Sequence, residues 1–138
     1  MPTLTRSNYL AGALLALTIT TFSASVDAAD LNGAWASDAS VCSNVFVTSE
    51  NRISFTPNSE LYGGGLIVEG NRASGAFQKC NIKSMHDDGK NVHLIAACSD
   101  GVMVQELRFD IRVIDHNRIA LSSGGSVNGE TRLTRCSM

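Results

Sequence analysis

Among the 138 residues, three histidines and four cysteines carry the side chains most easily recruited for chemistry. Histidines serve as metal ligands or as acid–base groups when two or more share a face. His86 and His93 lie on the two arms of one hairpin, which turns at Asp87-Asp88-Gly89-Lys90-Asn91. A turn centred on Gly89 sets Cys80 opposite Cys98, places His86 on the face of that cysteine pair and His93 on the other face, while His116 sits in a separate turn. In that register the three imidazoles share no ion, and each reads as a solvated side chain. The cysteines, Cys42, Cys80, Cys98 and Cys136, contain no C-x-x-C, so neither a zinc knuckle nor a thioredoxin-type redox pair is expected. An even count in a small exported domain reads as two disulfides. The hairpin register pairs Cys80 with Cys98, and elimination leaves Cys42 with Cys136.

Other motifs fall short of the chemistry they suggest. Gly124-Gly125-Ser126-Val127-Asn128-Gly129 has Asn128 where a nucleophile elbow needs glycine, and lacks the Lys-Ser/Thr of a phosphate cradle. Asp87-Asp88-Gly89 lacks the further acidic ligands of a calcium loop and reads as a turn. Glu106, Arg108, Asp110 and Arg112 alternate in sign along one strand face, as a solvated face with cross-strand ion pairs does, or an interaction stripe. Tyr62-Gly63-Gly64-Gly65 is the candidate binding loop, where an aromatic is presented on permissive backbone; a buried Tyr62 flanking a bulge is the alternative. No catalytic, cofactor or metal site is expected.

The elements that position these residues are strands. From Met103 to Val113 the apolar residues Met103, Leu107, Phe109, Ile111 and Val113 share one parity and the charged ones the other, so one face is buried. The turn at Asp115-His116-Asn117 returns the chain through Arg118 to Ser123, setting Val113 opposite Ile119 and Ile111 opposite Leu121. Gly70-Asn71 joins Gly65 to Glu69 with Arg72 to Phe77, with Glu69 beside Arg72. Cys80 to His86 pairs with Val92 to Cys98. Further strands are expected at Gly33 to Ala36, Val45 to Thr48, Arg52 to Phe55 and Thr131 to Cys136. Only Asp38 to Asn44 looks helical, capped by Asp38. Pro57 to Gly65 and Ser122 to Gly129 read as mobile loops. The expected fold is all-β: an antiparallel meander of eight to ten short strands forming a small closed or nearly closed barrel, with one short helical turn near 38–44.

Residues 1–28 have the layout of a secretory signal: Arg6, an apolar run from Leu10 to Phe22, then small residues. Cleavage is expected after Ala28, with Ala29 the next choice, leaving 29–138 as a single disulfide-stapled β domain. The apolar run is too short to span a bilayer, so no membrane span is expected. The net charge is −2, and 1–28 contribute one cation and one anion to it, so the domain has no basic field for nucleic acid. With 43% apolar and 17% charged residues, the chain is too hydrophobic for a disordered one.

Leu31-Asn32-Gly33-Ala34-Trp35 resembles the L-x-G-x-W opening of calycin barrels such as lipocalins. The resemblance implies that Trp35 packs across the bottom of the barrel. Bacterial metalloprotease inhibitors of the Inh type share this opening, the short eight-stranded periplasmic barrel and a cysteine soon after, here Cys42. This chain has four cysteines where that family usually has two, and only Ala29-Asp30 precedes Leu31 to enter a protease cleft. The function expected is that of a periplasmic or secreted, non-catalytic binding domain, for a small molecule in the barrel or a protein at its loops. The rivals are an inhibitor of an exported hydrolase and an enzyme with a dispersed site. The aromatic residues Trp35, Phe46, Phe55, Phe77 and Phe109 bear on whether the barrel is hollow or filled.

Overall fold

The computed structural model describes residues 29–124 and 129–138. The expected signal segment, its cleavage site and Ser126 lie outside the described residues. Ten strands run in chain order: β1 (Gly33–Ala36), β2 (Phe46–Ser49), β3 (Arg52–Phe55), β4 (Gly65–Glu69), β5 (Arg72–Ser74), β6 (Lys79–Asp87), β7 (Asn91–Ser99), β8 (Val104–Asp115), β9 (Arg118–Ser123) and β10 (Thr131–Arg135). Eight of them close into an antiparallel barrel in the order β1-β10-β9-β8-β7-β6-β5-β4. Consecutive hairpins bring each strand beside the next, and closure through β1 leaves the barrel without a free edge.

The other two strands, β2 and β3, form a separate hairpin outside the barrel. They follow the expected helical segment, a 3-10 turn at Ala39–Val41 that runs into α1 (Cys42–Val45). Asp38 caps it, its carboxylate accepting the Ser40 N–H at 2.8 Å. Phe46, Val45 and the partly buried Phe55 pack with Ala34, Ala36 and Ile67, which lie on the outer faces of β1 and β4. Only alanine stands at the two outward positions of β1, so this flap lies close against the wall. Cys42 bonds to Cys136, just beyond β10, and pins the flap there.

Inside the barrel, Trp35, Val68, Val92, Leu94, Ile111, Ile119 and Leu133 form the core together with Leu31. The parity of β7 is strict: Val92, Leu94, Ala96 and Cys98 are buried. Cys80 lies opposite Cys98 and bonds to it. Beyond Ile82 the register of β6 against β7 slips by one residue through a β-bulge, and His86 then faces His93 directly. This corrects the expectation that the two imidazoles occupy opposite faces.

Three other expectations change. The strand after Arg72 ends at Ser74 because the Gly75 N–H donates to the Gln78 carbonyl at 2.8 Å and closes a turn. Phe77 at that turn is 72% exposed and fills no interior space. Met103, at the buried parity of its strand in the sequence, lies before β8 and is exposed. Within Pro57 to Gly65, Ser59–Tyr62 forms a 3-10 turn stopped by Gly63, whose φ of +88° is in the left-handed region.

Candidate functional site

One end of the barrel is tied shut by the segment before β1. The Ala29 N–H donates to the Asp87 carboxylate at 2.9 Å, and the Gly70 N–H donates to the Asn32 side-chain oxygen at 2.7 Å. Asp87 is held below the usual carboxylate range by the Ala29 and Gly89 N–H groups it accepts. The Trp35 indole N–H reaches the Leu31 carbonyl at 2.9 Å, which fixes Leu31 inside the core. Arg135, at the end of β10, donates to the carbonyls of Asp30, Asn32 and His116, and its guanidinium lies 4.2 Å from the centre of the Trp35 ring. Segment 29–32 thus contacts the turns after β4, β6 and β8 at a single end, directly or through Arg135.

The opposite end is formed by the turns after β5 and β7 and the start of β10. Between the two ends lies a cavity of about 250 Å³. Leu66, Val68, Leu94, Ile111 and Leu133 line it, with Cys80 on one wall. Gly63, Gly65, Gly75, Gln78 and Thr131 line it toward the loop end. Among the described residues, none that lines the cavity is charged. The cavity is therefore an apolar slot; the polar residues among its lining are Ser74, Gln78 and Thr131.

The turns at this end carry exposed apolar side chains, which would otherwise cost hydration free energy. Phe77 projects from the β5–β6 turn, and Val102 and Met103 from the β7–β8 turn. The two turns face each other across a shallow hollow lined by Phe77 and Gly101. Asp100 shapes the second turn by accepting the Val102 and Met103 N–H groups at 2.9 and 3.0 Å, which hold its carboxyl below the usual range.

Of the candidate binding loop, Gly63 and Gly65 reach the cavity wall, whereas Tyr62 is half-exposed and Gly64 has open space around it. Trp35 is buried at the tied end. The His93 Nδ1–H donates to the Asp110 carboxylate at 2.5 Å, with Asp88 3.7 Å from Nε2. The contact with Asp110 raises the His93 pKa above its ordinary value. Its ring stacks with that of His86 at 6.4 Å between centroids. Among the described residues, no group of three His, Cys, Asp or Glu side chains is placed to hold a metal ion. Two residues of the charged stripe of β8 find partners: Asp110 with His93 on β7, and Arg112 with Glu130, just before β10, at 2.6 Å.

Sequence reasoning missed Arg135 and Gln78, and left open whether the barrel is hollow. Arg135 shares the parity of Leu133, so a cation at an inward position beside Trp35 was the available signal. No family model matches this chain, and neither a curated protein nor a solved structure matches it.

Proposed function

We propose that this chain is an exported, non-catalytic binding domain that holds a small apolar molecule inside its barrel. The observation that carries the reading is the apolar cavity of about 250 Å³, which lies between a tied end and a loop end. An apolar cavity of ~150 Å³ is large enough to take benzene, and drug-sized ligands occupy ~300 Å³ or more, so the ligand here is small. Filling such a slot removes apolar ligand surface from water at about 25 cal/mol per Å². The exposed Phe77 and Val102 at the loop end extend apolar surface toward the entrance. Two disulfides are consistent with an oxidising compartment, and with the signal-like segment 1–28 they support a periplasmic or secreted location.

The test is a calorimetric titration of the oxidised domain with naphthalene, a neutral apolar probe small enough for a slot of about 250 Å³. Binding with one site is expected, together with its loss in Ala96→Phe, which fills the cavity from β7. Circular dichroism and thermal melting establish that the variant folds. No binding by the parent domain, or unchanged binding by a folded Ala96→Phe, would overturn the reading.

A further inference from the structure

Resting on that reading, we infer that the ligand is an uncharged medium-chain amphiphile, its tail in the apolar slot and its hydrogen-bonding head at Gln78 and Thr131. Three observations converge on this class. The first is size. By proportion with the ~150 Å³ apolar cavity that holds benzene, 250 Å³ accommodates about ten non-hydrogen atoms.

The second is the distribution of polar atoms. The strand faces that meet inside the barrel contribute Leu66, Val68, Leu94 and Leu133, none of which offers a hydrogen bond. Gln78 and Thr131 line the cavity from the loop end, Gln78 closing the turn after β5 and Thr131 opening β10. The backbone carbonyl of Gln78 accepts the Gly75 N–H, which fixes the turn that places Gln78 at the cavity. An amide supplies both donors and an acceptor, and a hydroxyl supplies both a donor and an acceptor, so each of the two, on opposite walls of the loop end, suits the head of an alcohol, ester or amide.

The third is charge. A carboxylate or ammonium drawn into the slot would meet no counter-charge among the described lining residues, and an unpaired buried charge is strongly disfavoured. Lys79, the cation next to Gln78, is exposed and lies outside the cavity lining. Asp100 on the adjoining turn likewise lies outside the cavity lining and shares the outer hollow with Lys79, so neither charge selects the head.

Competition against naphthalene, read by calorimetry, tests the assignment with four compounds of one chain length: octan-1-ol, 1-chlorooctane, octanoate and octylammonium. Octan-1-ol is expected to displace the probe at a concentration about tenfold below that needed for either ion. In Gln78→Leu its advantage over 1-chlorooctane should shrink by roughly 2- to 10-fold, the worth of one neutral hydrogen bond, with 1-chlorooctane itself unweakened. Thr131→Val gives an independent reading of the same head position. Octanoate competing as well as octan-1-ol, or alcohol preference unchanged in both variants, would overturn the head-group assignment while leaving apolar binding intact. Absence of displacement by all four compounds, with the probe bound, would overturn both this assignment and the slot as a ligand site.

Discussion

Gly65 shows how a residue read for binding acts through packing. A Cβ there would sit 2.6 Å from the Trp35 carbonyl oxygen and 2.6 Å from the Phe46 ring, and the former is backbone that cannot move aside. Gly65→Ala should therefore cost about 1–3 kcal/mol, measured by urea melting, whereas Gly70→Ala has open space and only its left-handed φ to resist it, at about 1 kcal/mol. Trp35 sits behind that contact, 1% exposed, and bonds to Leu31. Trp35→Ala should lose about 3–5 kcal/mol, and a change below about 0.5 kcal/mol in denaturant melts would contradict its packing role. Trp35 was legible because an L-x-G-x-W opening is distinctive. Gly65 was not, since three successive glycines give no hint which of them is pressed against a backbone. Gln78 was equally silent: a glutamine beside a turn looks like any solvated residue until the turn's position at a cavity is known.

At the scale of elements, alternation was enough for most of the barrel and insufficient where a strand changes register. Met85 stands at the opposite parity to Cys80 and Ile82, and this apolar residue was the available sign of the bulge between Ile82 and Ser84. Missing it put His86 on the face of the cysteine pair, away from His93. The hairpin of β2 and β3 was read correctly as strands, but alternation cannot say which sheet a strand joins; the alanines on the outer face of β1 are what allow it to lie against the barrel. The register of β7 against β8 sets His93 opposite Asp110 and gives β7 a pH dependence. The hydrogen bond to Asp110 raises the pKa of His93 above its ordinary value of 6.5, so folding favours the protonated ring. That contribution is fully present below pH 6.5 and is lost as the pH rises through the raised folded value. Urea midpoints measured from pH 5.5 to 8.5 should fall across this window, and the component should vanish in Asp110→Asn. An unchanged slope in that variant would remove His93 as its source.

For the whole molecule, the two disulfides hold different things together. Cys42–Cys136 spans 94 residues and fastens the flap of α1, β2 and β3 to the end of β10, while Cys80–Cys98 spans 18 and staples two adjacent strands within the wall. Loop-closure entropy alone assigns about 4.7 kcal/mol to the long bridge and about 3.2 kcal/mol to the short one. Stability and binding should therefore separate. Replacing Cys42 and Cys136 together by Ala should lower the urea stability more, yet leave the barrel slot and its probe affinity near the parent values, because neither sulfur lines the cavity. Replacing Cys80 and Cys98 together by Ala should lower stability less but alter probe binding more, since Cys80 forms part of the cavity wall and two smaller side chains enlarge the slot. Paired urea melts and probe titrations on the two double variants read both effects. The reverse ranking, with binding lost on opening the long bridge and retained on opening the short one, would move the ligand site from the barrel interior to the flap.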